Sequence, residues 1–341
     1  MKTLVPLRRF GAFLVIQLCI IGFLQAQSKT GTTIGQFLLI EPSARLSAMG
    51  NAGVATFDEV IAAYYNPGVL GHLSSSHAQF THSLWIADIA YNYAGVGIKL
   101  AETRTLYLSM TSLNSGEIDV RTVERPLGTG ERYTVSNVAF GIGYGQRITD
   151  RFSAGLQVSY IQETIWHSSL GAFALNFGTL YQLSSDGIHI GASISNFGTR
   201  GRYTGRDLRI RYDLDPDRYG DNSNLPGEVF TEEFSLPVVF RVGLAFPLAL
   251  DANNRFQFAI DAFHPNDNTE SVSFGVEWNF MGIVSLRGGY QNLYQKDAEV
   301  GLTAGAGLEY GFLGTELRVD YAWAGHGRLK ETHRFTVGVA F

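Results

Sequence analysis

From Arg151 to Glu163 the chain reads RFSAGLQVSYIQE, in which Phe152, Ala154, Leu156, Val158 and Tyr160 alternate with Ser153, Gly155, Gln157 and Ser159. A period of two puts one set on each face of a strand. SFGVEWNF repeats the pattern, with Phe274, Val276, Trp278 and Phe280 against Ser273, Gly275, Glu277 and Asn279. LRVDYAW repeats it again, with Leu317, Val319, Tyr321 and Trp323 against Arg318, Asp320 and Ala322. Strands of soluble sandwiches also alternate, but they commonly run about five or six residues. These segments run roughly ten or more, the length a tilted strand needs to cross a bilayer.

Fourteen such segments can be marked, at about 76–84, 89–100, 103–113, 135–148, 151–163, 168–184, 187–198, 234–247, 253–264, 269–281, 283–292, 298–311, 315–325 and 331–341. An even count suits a bacterial barrel. Every second connection is short: 101–102, the turn near Thr149 and Asp150, 185–186, 248–252, Gly282 and 313–314. The opposite set holds the long ones, about 114–134 and 199–233. Short turns on one side and long loops on the other mark the periplasmic and extracellular faces. Both chain ends are then expected in the periplasm.

The start of the chain agrees with an envelope location. MKTLVPLRRF carries Lys2, Arg8 and Arg9 and no acid, and the apolar run GAFLVIQLCIIGFL and then LQAQS follow. This is the pattern of a secretory signal peptide over residues 1–26, cleaved after Ala26. A membrane anchor is the other reading, and the run is short for the ~20 residues of a spanning helix. Cys19, the single cysteine, leaves with the signal, so no disulfide, thiol nucleophile or cysteine metal site is expected. Removal of the signal moves the net charge from -5 to -8, with 23 basic residues against 31 acidic ones, which argues against a nucleic-acid partner. Charged residues make up only 17% of the chain, yet no later apolar run can form a spanning helix. The fold expected is all-β: a 14-stranded antiparallel transmembrane barrel over residues 76–341, in contact with outer-membrane lipid.

The C-terminal stretch HRFTVGVAF stops on an aromatic residue in mid-pattern. Phe335, Val337, Val339 and Phe341 share a face with His333, so the last strand is expected to pair with the first and to be read by the barrel-assembly machinery. The inward positions are largely Gly, Ser, Asn and Ala, which predicts a narrow, polar lumen. Arg241, Asp261, Glu277, Arg287, Glu309, Arg318, Asp320 and Arg334 also point inward. They suit either a selectivity lining or cross-strand ion pairs, and their balanced signs favour the pairs.

Residues 27–75 precede the first strand and read as a compact helical plug. EPSARLSAMGNAGVATFDEVIAAYYNPGVLGHL starts with a helical piece around Ser43–Met49. A second helix follows, capped by Asp58 and stopped by Pro67. ARLSAMGNAGVA followed by AAYYNPGVL resembles the N-terminal signature of the PorV/PorQ family, relatives of the FadL-type outer-membrane barrels. HSLWIADIAYNYAGV, RFSAGLQVSYIQE, ISNFG and HPNDNTESV extend the resemblance over essentially the whole mature chain. It departs where the family reads Asn-Pro-Ala-Gly and this chain has Asn66, Pro67, Gly68 and Val69. The resemblance implies a 14-stranded barrel with N-terminal helices inside or beneath it, in or beside type IX secretion, with secretion-system subunits or exported cargo as partners. The plug motif is then Arg45, Met49, Gly50, Asn66 and Pro67. The loop rich in Tyr, Arg and Asp, around Arg209, Tyr212 and Tyr219, is the candidate partner-binding region.

Nothing points to an enzyme, a cofactor or a metal centre. GIGYG at 141–145 and GAGLEYG at 305–311 lie in strand patterns without a following helix. Asp213, Asp215 and Asp217 recur like a calcium loop, but position twelve is Asn224. His264, Asp267 and Glu270 could hold a divalent ion, and turn chemistry explains that loop equally well. Two functions stay open: a secretion-associated adaptor at the cell surface, or a FadL-like transporter of small hydrophobic molecules.

Overall fold

The computed structural model describes residues 30–183, 187–213, 215, 217, 224–295, 298–312 and 314–341. The expected signal peptide, with Cys19 and Ala26, lies outside the described residues. Seventeen strands follow one another: β1 (His77–Leu84), β2 (Ala90–Ala101), β3 (Arg104–Asp119), β4 (Arg132–Arg147), β5 (Phe152–Ile165), β6 (Ser168–Gln182), β7 (His189–Gly198), β8 (Thr204–Gly205), β9 (Arg209–Tyr212), β10 (Leu225–Glu228), β11 (Val239–Ala249), β12 (Asn254–Pro265), β13 (Ser271–Phe280), β14 (Val284–Leu293), β15 (Leu302–Phe312), β16 (Thr315–Gly325) and β17 (Glu331–Ala340). The main sheet has fifteen of them, and the two-residue β8 only lines the edge of β6. The other fourteen pair antiparallel in a ring that β1 and β17 close, from His77 opposite Ala340 to Leu84 opposite His333. No edge of the ring is left to template another chain.

The outer face is apolar where the alternation places it. Val158 is 48% exposed, Val319 49% and Phe335 46%, while their neighbours Ser159, Asp320 and Arg334 are buried. Turns at 102–103, 148–151, 250–253 and 281–283 mark a short-turn end. The opposite, long-loop end carries the connections 120–131 and 199–238. The first is shorter than expected. β3 and β4 stay paired as far as Asp119 and Arg132, beyond a register shift after Asn114, and extend as a two-stranded ribbon. Arg132 bridges Glu117 at 2.6 Å and Asp119 at 3.1 Å on this ribbon. Outside the hydrocarbon a strand needs no apolar face, so its charges made it look like loop.

The described N-terminal residues enter at the long-loop end, which corrects the expectation that both ends lie in the periplasm. Ile34 N–H donates to Ser235 O at 3.1 Å, Thr33 Oγ1 to Asp267 Oδ2 at 2.6 Å and Gly35 N–H to Glu163 Oε1 at 3.0 Å. The chain then runs down the inside of the barrel. Helix α1 (Ala44–Ala48) packs on β14, β15, β16 and β17, a 3-10 turn at Val60–Tyr64 on β1 and β2, and another at Pro67–His72 on β3 to β7. The last turn reaches the short-turn end, where Gly71 lies against Gln146, Arg147 and Ser153. Ser43 caps α1 by accepting from Leu46 N–H at 3.0 Å. Asp58 does not cap the second piece. Glu59 stands at that position without a side-chain capping bond, and Asp58 turns to Arg45 at 3.4 Å. Pro67 ends one turn and also opens the next.

The lumen is filled by the plug, and beside its polar lining it holds an apolar core. Leu46, Met49, Val60, Ile61, Tyr65, Val69 and Leu70 are fully buried inside it. Tyr91, Tyr93, Tyr107, Ile161, Leu170 and Leu180 point inward and meet them in one apolar cluster. The small inward residues make room for plug backbone: a Cβ on Gly275 would lie 2.2 Å from Met49 O, and one on Gly155 2.1 Å from Pro67 O.

Candidate functional site

The plug motif forms two anchors on different walls. In the first, the helical position of Arg45 aims its guanidinium at β13. Nε donates to Glu277 Oε2 at 2.8 Å and Nη2 to Glu277 Oε1 at 2.7 Å, with Gln257 Oε1 at 3.2 Å. Glu277 also accepts from Arg287 Nε at 2.5 Å, and Arg287 Nη1 continues to Asp320 at 2.6 Å. Arg318 closes the chain on Glu309 at 2.8 Å. Arg45 is 2% exposed, so only this two-pronged, hydrogen-bonded geometry offsets its loss of water. Glu277, Arg287, Glu309, Arg318 and Asp320 thus follow the cross-strand reading, with a plug residue completing their chain, whereas Asp261 accepts from Val54 N–H at 2.9 Å and Arg334 bonds Ser47 of the plug. Arg241, by contrast, lies over the rings of Tyr64, Tyr65 and Phe263, at 5.6, 5.9 and 5.1 Å. Burial raises the Glu59 carboxyl above its usual range, and Arg45 and the Ser43 hydroxyl, which donates at 2.6 Å, oppose that shift.

Met49 and Gly50 belong to the same anchor. Gly50, at φ 65°, sits where a Cβ would meet Phe274 O at 2.6 Å. Only glycine combines that left-handed backbone with so close an approach. The second anchor is Asn66. Its Nδ2 donates to Val54 O at 2.7 Å and Thr179 O at 2.9 Å, and its Oδ1 accepts from Gly68 N–H at 2.9 Å. Pro67 follows, against Gly155 and Gly178 on the wall.

The terminal residues lie where the alternation puts them, at the seam. Phe341 N–H donates to Ser76 O at 2.9 Å and Ser76 N–H to Phe341 O at 3.1 Å. Val337 and Phe341 are 54% and 62% exposed on the outer face. Deleting Phe341 removes this last pair of seam bonds. It is expected to lower the amount of folded protein in the outer membrane, read as the heat-modifiable band of a membrane fraction. Wild-type levels would exclude an assembly role for this residue.

The candidate partner loop is only partly visible, because Tyr219 lies outside the described residues. Arg209 and Tyr212 stand on β9, which pairs with β10 as a separate hairpin at the long-loop end. Tyr212 is 51% exposed and Ile210, on the same face, 43%. His264, Asp267 and Glu270 are not brought together. His264 pairs with Glu270 at 3.0 Å, while Asp267 turns inward to Thr33 and Gln36. Among the described residues no group of three or more such side chains could hold a metal ion. The glycine runs at 141–145 and 305–311 lie in β4 and β15.

Three recesses lie beside these elements. A polar vestibule of about 460 Å³ opens at the short-turn end beside Arg45, Asp58, Glu309 and Arg318. A cavity of about 30 Å³ lies within the barrel between Glu41, Arg241 and Asp261. An apolar recess of about 590 Å³ indents the outer wall between Phe240, Ala262 and Val272.

A closed fourteen-stranded ring with an apolar outer wall and a threaded N-terminal plug defines an outer-membrane β-barrel. Residues 23–264 match the family model described as type IX secretion system protein PorV, so the chain belongs to the PorV family. No curated protein matches the chain. Among solved structures it is similar to the toluene transporter TodX of Pseudomonas putida, with 12% identity and a TM-score of 0.55 over 87% of this chain and 96% of that one. The toluene transporter TbuX of Ralstonia pickettii matches at 11% identity and a TM-score of 0.54, over 89% and 98% of the two chains. A Pseudomonas aeruginosa FadL homologue matches at 10% and 0.53, over 88% and 98%. At these identities the likeness is one of fold.

Proposed function

We propose that this PorV-family barrel serves type IX secretion as a surface adaptor, holding exported proteins through its long-loop end while the plug keeps the lumen closed. The observation that supports this reading most is the β9–β10 hairpin. A two-stranded hairpin is marginal alone in water, yet this one leaves Ile210 and Tyr212 uncovered, and Phe230, just beyond β10, is 75% exposed. The reading assigns docking to the region of Arg209, Tyr212 and Tyr219, and closure to Arg45, Met49, Gly50, Asn66 and Pro67. Signal-peptide cleavage after Ala26 and assembly through the C-terminal strand by the barrel machinery belong to the same reading. Replacing residues 205–230 by a tight turn should leave a folded barrel and abolish co-purification of surface proteins and secretion subunits. Retention of every partner by that variant would sink the docking assignment.

Transport of small hydrophobic molecules is the second reading. The outer apolar recess favours it, because Phe263 lines both that recess and the small internal cavity. TodX and TbuX are toluene transporters by name. Uptake of a fatty acid or of toluene into liposomes holding the intact protein would replace the adaptor with the transporter.

A further inference from the structure

We infer that the long-loop end carries a saccharide site, built where the β5–β6 turn meets the start of the β7–β11 loop. The recess there has a volume of about 380 Å³ and is lined by Tyr133, Trp166, Ser168, Tyr203, Asp207 and Leu208, among others. That volume falls in the usual range for small-ligand sites, ~300–1,000 Å³.

Trp166 is the centre of the argument. It occupies one of two turn positions between β5 and β6 with φ 53°, a left-handed conformation that a bulky side chain rarely adopts. Such backbone persists where the surroundings hold it, and it concentrates at binding sites. Here Trp166 N–H donates to Thr134 O at 3.2 Å. The indole stacks on His167 at 4.6 Å and 29°, and the ring of Tyr133 stands 6.0 Å away at 38°. His167 is itself fixed: Nδ1 donates to Asp207 Oδ1 at 2.9 Å, and Arg206 donates to Nε2. Tyr203 is tethered inward, its hydroxyl donating to Glu163 Oε2 at 2.9 Å. The lining is thus a set of aromatic faces held rigid before any ligand arrives, with a carboxylate and hydroxyls among them.

A pyranose matches this lining. Its C–H face packs on an aromatic ring, and its hydroxyls both donate and accept. A plain hydrocarbon would make no use of the Asp207 carboxylate and the Ser168 hydroxyl in the lining. A phosphate would meet the Asp207 carboxylate, and a bare cation would meet Arg206. Aromatic residues also form girdles at membrane interfaces. A girdle needs only rings at headgroup depth, not a strained backbone or a stack pinned by hydrogen bonds on both ring nitrogens. The site faces the side of the outer membrane that displays sugars. The sugar could sit on a membrane glycolipid or on an exported glycoprotein, and the chemistry of recognition is the same.

The test uses the full-length protein in nanodiscs, titrated with lipid-free core oligosaccharide of a rough-type lipopolysaccharide and, separately, with glycans released from surface glycoproteins. Saturable binding of either, weakened at least tenfold by Trp166→Ala and by Asp207→Asn, supports the site. The tighter ligand identifies the source. Heat-modifiable migration checks that each variant is folded, and Trp278→Phe on the lipid face should bind as the wild type does. Unchanged affinity in Trp166→Ala, or no saturable binding of either glycan, would overturn it. Trp166→Ala leaves residues 205–230 in place. Lost sugar binding with retained protein partners therefore separates this site from the adaptor reading.

Discussion

Replacing Arg45 by alanine is expected to unseat the first anchor of the plug at a cost of about 3 kcal/mol. Breaking a buried ion pair by removing one partner typically costs ~3–5 kcal/mol. The lower end applies because Glu277 keeps Arg287 at 2.5 Å. The wall should survive, since no strand-to-strand bond is lost. The effect should therefore appear as a raised conductance in planar bilayers and as new protease cleavage around residues 41–50, in a protein that still shifts on boiling. Arg45→Lys should fall between, because an ammonium cannot make the two parallel bonds to Oε1 and Oε2. A closed, protease-resistant Arg45→Ala variant would show that the apolar half of the plug, from Val54 to Leu73, holds it alone.

Val158→Arg is the second large effect, and it acts on the wall rather than the plug. Val158 lies mid-strand on the outer face, opposite Ile142 on β4 and Leu175 on β6. An arginine at the midplane of a barrel's lipid face costs ~2–4 kcal/mol. The variant should show a lower denaturant midpoint for loss of the heat-modifiable form, and less folded protein in the membrane. The same change at Tyr181, near the short-turn end of β6, should cost ~0–1 kcal/mol, because the penalty falls toward the interface. Equal effects at the two positions would contradict the depth assigned to Val158.

The two predictions also show what a linear reading could reach. Val158 was legible because alternation is local: five residues decide which face it takes. The seam at Phe341 was legible for the same reason. The partner of Arg45 was not. Glu277 is 232 residues away, and periodicity says only that it points inward, not what it meets across the lumen. Tyr91 and Tyr93 carried a faint signal. They share a parity with Gly95 and Gly97, so two large rings stand in line with two glycines on one inward face. That mixture fits a wall shaped to an irregular insert better than one lining water. The Glu117–Asp119 stretch was misread because strands beyond the bilayer lose the apolar signature by which the others were found.

The plug runs from the long-loop end, at Thr33, to the short-turn end, where it becomes β1. This direction constrains the order of events in the making of the protein. A finished ring could acquire its core only by drawing the whole leading segment through its own bore. The seated plug fits the wall closely at Gly155, Gly275 and Gly289, which disfavours that route. The core is therefore expected to settle while the circle is still a curved, open sheet. The joining of β1 to β17 is then expected as the final step. The ring is wound around its axle, and the seam that holds Phe341 against Ser76 is the clasp.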